Sequence, residues 1–226
     1  MNASQVPRMV LRGGPISPFV RKVSICVLEK GLESEVDRVR SLTAIGTPNA
    51  ELQRFNPLSK IPTLITAEGA ALFDSDVICE YLDTIHPPMT MYPASGPLRW
   101  KALRWCALGS GMLDLLVLLR TERNRPRPQQ MQTILDAQAI KINAALDLIE
   151  AEMREIQATP FAIGHIALGC ALGYLDFRFA DVDWRGSRPR ARLWFAGFVR
   201  RPSVLRTQPY EGEPPLWSTP HFWESK

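Results

Sequence analysis

The chain is poor in the residues that build covalent or metal-held scaffolds. Its four cysteines, Cys26, Cys79, Cys106 and Cys170, form no C-x-x-C pair and share no spacing with its three histidines that would complete a zinc site. This argues against a disulfide framework and a metal centre. Residues Met1 to Pro7 are polar and lack the apolar core of a secretory signal, so a cytoplasmic protein with reduced thiols is expected. A membrane span is also missing. The best candidate, Trp105 to Leu119, is interrupted by Asp114 and falls short of the roughly 20 apolar residues a span needs. What remains is ordinary: 226 residues, 46% hydrophobic and 22% charged, exclude disorder and fibrous repeats and allow one large domain or two small ones.

The formal net charge of +4 is uneven, because residues 1 to 86 carry nine Lys/Arg against ten Asp/Glu while residues 87 to 226 carry eighteen against thirteen. A basic C-terminal half raises the question of nucleic acid, and Arg185, Arg188, Arg190, Arg192, Arg200 and Arg201 are its densest group. These arginines alternate with Trp194, Phe195, Phe198 and Val199, which reads more simply as the solvated face of an amphipathic helix. No nucleic-acid partner is expected.

The periodicity changes part-way along the chain. Met9-Val10-Leu11 reads as a buried strand ending at Gly13-Gly14-Pro15, and a helix follows with Ser17 as cap, Pro18 at its first turn and Gly31 closing it. Val36 to Val39 alternates with period two, a short helix fits Ala50 to Phe55, and Ile61 to Ile65 with Leu72-Phe73 forms a hairpin signal around Glu68-Gly69. A helix from Asp74-Ser75 then presents Ile78, Tyr81, Leu82 and Ile85 on one face until His86-Pro87-Pro88. Beyond a proline-rich linker everything reads helical: Leu98 to about Arg120, a stripe of Met131, Ile134, Leu135, Ile142, Leu146, Ile149 and Met153, an apolar helix over Gly164 to Phe179, and Pro189 to Arg200. Gly169 and Gly173, four apart, suit a close helix approach there. The tail from Pro202 to Lys226 is expected to be irregular. The fold class is α+β: a βαβ-ββα domain over 1–86, a linker over 87–97 and an all-helical domain over 98–226.

Three segments of the first domain combine helix or strand starts with polar groups. At Ser17-Pro18 the bland reading is an ordinary cap, but free N–H groups and the positive end of the helix dipole also suit a ligand thiolate. At Ile61-Pro62 the bland reading is an edge proline. A cis bond there would instead turn the Ile61 amide and carbonyl outward, where an extended peptide can pair with them. At Asp74-Ser75 plain capping competes with a site for a zwitterionic amino-acid end, whose carboxylate would meet backbone N–H groups and the Ser75 hydroxyl while Asp74 accepts from its ammonium.

Taken in order, Ser17-Pro18-Phe19-Val20-Arg21-Lys22-Val23, Asn56-Pro57-Leu58-Ser59-Lys60-Ile61-Pro62-Thr63-Leu64 and Phe73-Asp74-Ser75 with Tyr81-Leu82 resemble the glutathione transferase family in its soluble bacterial-type branch. Gly164-His165-Ile166-Ala167-Leu168, Gly173 to Arg178 and Arg201-Pro202-Ser203 extend the resemblance over most of the chain. It implies a thioredoxin-like domain followed by an all-α domain, a homodimer, glutathione as co-substrate with no metal, and a small apolar electrophile. It implies that Ser17 hydrogen-bonds the glutathione sulfur and Phe19 packs near it. Ile61 would bond the cysteinyl backbone, Lys60 would pair with the glycyl carboxylate, and Asp74 and Ser75 would hold the γ-glutamyl end. Alternatives on the same scaffold are a glutathione-dependent disulfide reductase or isomerase and a non-catalytic regulatory protein.

Two departures from the family pattern stand out. Ala162 and His165 occupy positions where the family has a Ser or Thr cap and an Asp, so a loss of about 1 kcal/mol is expected there, next to a short loop before Phe161. Gly109-Ser110-Gly111 lies in the helix expected to line the electrophile site.

Overall fold

A computed structural model describes residues 8–88, 91–212 and 221–223. The chain divides into two compact units, one made of residues up to 89 together with those from 202 onward, the other of residues 90–201.

The first unit is built on a four-stranded mixed sheet of order β2-β1-β3-β4. β1 (Met9–Gly13) pairs in parallel with β2 (Val36–Arg40), and α1 (Pro18–Glu29) makes the crossover between them. α1 starts where local chemistry says it should, with Pro18 supplying no N–H that would be orphaned, and it is followed by Gly31 at φ +68°. After the short α2 (Ala50–Gln53), β3 (Thr63–Ile65) runs antiparallel to β1 and β4 (Ala71–Leu72) antiparallel to β3. α3 (Ser75–Ile85) packs on α1, burying Ile78 and Leu82 and leaving Tyr81 and Ile85 half-buried.

The C-terminal segment completes this unit, which corrects its expected place in the helical domain. α8 (Pro202–Leu205) follows directly on the second unit, and Arg206 makes a two-pronged ion pair with Glu33 at 2.9 and 2.5 Å. Ser203 hydrogen-bonds Glu29, the Phe222 amide donates to the Arg206 carbonyl, and the Arg38 guanidinium stacks 4.7 Å over the buried Phe222 ring. The expectation of an irregular tail fails over Pro202–Leu205. Residues 213–220 and 224–226 lie outside the described residues.

The second unit is helical throughout: α4 (Gly96–Arg123), α5 (Gln132–Ala158), α6 (Ile163–Arg178) and α7 (Pro189–Phe198). α6 is buried from Ile163 to Leu175, the centre of the core. α4 is long and apolar enough to cross a membrane by length and composition, beyond what the interrupted run Trp105 to Leu119 suggested. Its apolar content has another use, because Trp105, Met112, Leu113 and Leu116 are buried in this unit. Close approach of α4 and α6 occurs at Gly109, where a Cβ would sit 2.5 Å from the Ala167 carbonyl carbon, and at Gly164, where it would meet the Trp105 Cβ at 2.7 Å. Gly169 instead makes room for the Phe198 ring of α7. The α5 stripe is buried only from Ile142 onward; Met131 is exposed, and Ile134 and Leu135 are half-buried.

The absent Ser/Thr–Asp cap of α6 is replaced on its Asp side only, since the Ala162 side chain has no acceptor. The Ala162 amide donates to His165 Nδ1 at 3.1 Å, and His165 Nε2 lies 2.8 Å from the Ile156 carbonyl, which can only accept. The ring is therefore neutral with its proton on Nε2. Burial holds the His165 pKa below its ordinary value, and Arg201, stacked on Phe161 beside it, pushes the same way.

Candidate functional site

Strand register gathers the three polar segments. Arg12 at the C-terminal end of β1 pairs with Thr63 at the N-terminal end of β3, so Gly14 to Ser17 and Lys60 to Pro62 leave the sheet at the same end. Leu72 of β4 pairs with Leu64, which sends Phe73, Asp74 and Ser75 to that end too. Two helix N-termini therefore open there.

At the first, Ser17 is half-buried and its Oγ accepts from the Val20 amide at 3.3 Å. Because Oγ is the acceptor in this bond, the hydroxyl keeps its own proton to donate elsewhere. The Phe19 side chain is half-buried on the first turn. Pro18 has no N–H, so this terminus offers the Phe19 amide and the dipole to an anion.

The second segment is organised by a buried side chain, Asn56, to which the sequence motif alone assigns no role. Asn56 Nδ2 donates to the Lys60 carbonyl at 3.1 Å and to Thr63 Oγ1 at 3.1 Å, its Oδ1 accepts from the Leu58 amide, and Thr63 Oγ1 donates to the Lys60 carbonyl at 2.9 Å. The signal for this was Asn56-Pro57, a dipeptide that favours turns closed by the asparagine side chain. The Ile61-Pro62 bond is cis, and β3 lies between β1 and β4, so Pro62 is not an edge proline. It precedes the ladder, which begins at Thr63, and leaves the Ile61 backbone outside it. The Lys60 side chain is exposed and Ile61 is half-buried.

At the third segment the two expected roles separate. Asp74 is the cap of α3, its Oδ1 accepting from the Asp76 amide at 3.0 Å, and its side chain is exposed. Ser75 is the first helical residue and only 2% exposed. The Phe73-Asp74 bond is also cis. Behind this terminus the Lys22 ammonium of α1 pairs with Asp76 Oδ1 at 2.6 Å.

Three of the six clustered arginines of the second unit are held by acids within that unit. Arg185 pairs with Asp176, Arg188 with Asp147 at 2.7 Å and Arg190 with Glu150 at 3.0 Å. Arg188 is buried, which corrects its assignment to a solvated face. Among the described residues, no three His, Cys, Asp or Glu side chains gather where they could hold a metal ion.

Comparison with known proteins settles the lineage. The N-terminal domain of glutathione S-transferases matches residues 16–85 and their C-terminal domain residues 132–197. An uncharacterized GST-like protein of Escherichia coli K12, YibF, is 34% identical over 203 residues, covering 89% of this chain and 98% of its own. This chain belongs to the glutathione S-transferase family. A family member from Pseudomonas fluorescens Pf-5, solved with bound glutathione, matches at 39% identity with a TM-score of 0.87, covering 89% of this chain and 99% of that one. A glutathione S-transferase from Methylobacillus flagellatus KT with glutathione bound matches at 31% identity and a TM-score of 0.80, covering 89% and 100%. The thioredoxin-like sheet followed by a helical unit is the family's fold.

Proposed function

We propose that this protein is a glutathione transferase, acting as a cytoplasmic homodimer on small apolar electrophiles. The observation that carries the reading is the strand register, which opens the α1 and α3 N-termini and the Ile61-Pro62 turn at one end of the sheet. A tripeptide with a thiol in its middle and an amino-acid group at one end has a matching partner at each. Ser17 Oγ–H donates to the sulfur, and Phe19 packs beside it. The Ile61 amide and carbonyl pair with the cysteinyl backbone, and Lys60 meets the glycyl carboxylate. Asp74 accepts from the γ-glutamyl ammonium, while the Ser75 hydroxyl and the α3 N-terminus take its carboxylate.

The chemistry is thiol acidification. A free thiol with a pKa of about 8.5 is mostly protonated at neutral pH, and a helix N-terminus together with a hydroxyl donor stabilises the anion. The thiol proton goes to solvent. The thiolate then forms a C–S bond with the electrophilic carbon while the leaving group departs with the bonding electron pair. Ser17 acts as a donor and forms no covalent intermediate, so it needs no histidine base.

The test is Ser17→Ala, compared with the parent in glutathione titration and in a panel of aryl halide, peroxide and mixed disulfide substrates. The expected result is an affinity within about twofold of the parent, with conjugation at pH 7 reduced at least about tenfold, and a higher thiol pKa read from the pH–rate profile. Equal rates in both proteins refute the role of Ser17. No glutathione binding at millimolar concentration refutes the function, and turnover of the mixed disulfide alone replaces conjugation by disulfide reduction.

A further inference from the structure

Lys22 lies on α1 five residues beyond its cap Ser17 and is fully buried, yet its ammonium reaches the start of α3 to pair with Asp76 Oδ1 at 2.6 Å. Asp76 is the second residue of α3, and its own amide donates to Asp74 Oδ1 at 3.0 Å. A continuous chain of polar contacts therefore runs from the helix that begins at Ser17, through Lys22 and Asp76, to Asp74. We propose that the Lys22–Asp76 pair is a positioning device that sets the span between the sulfur-binding and γ-glutamyl-binding ends of the site. This inference rests on the glutathione reading above.

The physical case is one of preorganisation. Apolar packing alone lets two helices slide by fractions of an ångström, whereas a charge-assisted bond of 2.6 Å fixes a point on each. A buried ammonium is costly unless it is paired, and Lys22 stands at a position where a leucine or methionine would fill the same space without that cost. Asp76 is 40% exposed at the side chain and stays solvated without its partner, which makes its pairing with Lys22 a matter of orientation more than of shielding the carboxylate. A ligand that bridges both helix starts is sensitive to their spacing. A ligand that occupies one start is not.

The experiment measures two ligands on the full chain: glutathione, which spans both ends, and γ-L-glutamyl methylamide, which fills only the Asp74–Ser75 end and is read by competition. In Lys22→Met, which keeps the volume and removes the ammonium, the glutathione dissociation constant should rise about tenfold while that of the fragment changes less than about twofold. Asp76→Glu, which keeps the pair, should leave glutathione affinity within about threefold of the parent. If Lys22→Met does not fold, Asp76→Asn, whose amide oxygen still accepts from Lys22, is measured in its place with an intermediate rise expected for glutathione alone. Equal changes for both ligands, or none for either, overturn the positioning role. A parent protein that binds the fragment but not glutathione overturns the glutathione reading and this inference with it.

Discussion

Gly109 and Gly111 lie two residues apart in α4, and the structure assigns them opposite responses to the same substitution. A Cβ at Gly109 would stand 2.5 Å from the Ala167 carbonyl carbon, 2.7 Å from the Leu168 nitrogen and 2.8 Å from the Ala167 Cβ. The shortest of these is 0.9 Å inside the 3.4 Å at which ordinary contact begins, and the first two obstructing atoms are backbone in a buried helix. No rotamer change relieves such a clash, so α4 and α6 must part along their contact. Overpacking of this kind costs about 3 kcal/mol at the upper end of its range, and the better helix propensity of alanine returns about 1 kcal/mol. The net loss of about 2 kcal/mol corresponds to a melting temperature lower by about 4–8 °C. At Gly111 a Cβ meets nothing within 4 Å, so Gly111→Ala should gain about 0.5–1 kcal/mol and raise the melting temperature by about 1–4 °C. Differential scanning calorimetry and urea titration of the two variants decide the matter. A Gly109→Ala protein as stable as Gly111→Ala would refute the claim that α4 and α6 meet backbone to backbone at this point.

Two further predictions concern charge. His165 has a folded-state pKa depressed by burial, so its contribution to stability is complete above its unfolded value of about 6.5 and is lost as pH falls through the folded value. Chemical denaturation from pH 7.5 to pH 5 should show the stability difference between parent and His165→Gln shrinking in acid; a difference independent of pH contradicts the neutral-cap assignment. On the proposed γ-glutamyl role of Asp74, Asp74→Ala should weaken glutathione binding about tenfold or more, and it also removes the observed cap of α3. Isothermal titration reads this directly, and an unchanged dissociation constant removes Asp74 from the γ-glutamyl end.

The sequence was informative where its chemistry is local. Ser17-Pro18 and Asp74-Ser75 mark helix starts because capping involves neighbours within three residues, and the Ile61-Pro62 turn was legible because a proline at a strand start is conspicuous. What escaped depends on residues far apart in the chain. The Lys22–Asp76 pair joins residues 54 apart, and Arg206 meets Glu33 across 173 residues, with no periodicity to betray either. Gly109 looked like a feature of a substrate site because its reason, the Ala167 backbone, lies on another helix. His165 looked like a lost cap for the opposite reason. Its ring does the work of the missing carboxylate, though not of the missing hydroxyl, by accepting from the Ala162 amide and donating to Ile156, a geometry that residue identity alone does not reveal.

The return of the chain after Arg201 to the unit in which it began has a consequence for the order of assembly. The helical unit is one uninterrupted stretch of about 110 residues lying in the sequence between the two pieces of the other, so on a ribosome it emerges whole while the sheet unit is still missing its last piece. At ordinary rates of synthesis the sheet waits on the order of ten seconds for Ser203, Arg206 and Phe222 to reach Glu29, Glu33 and Arg38. Closing so long a loop adds little entropy beyond a short one, but it makes the sheet unit the later of the two to finish. A tag or fusion partner at the C-terminus therefore acts on the half of the protein that carries the Ser17 end of the sheet.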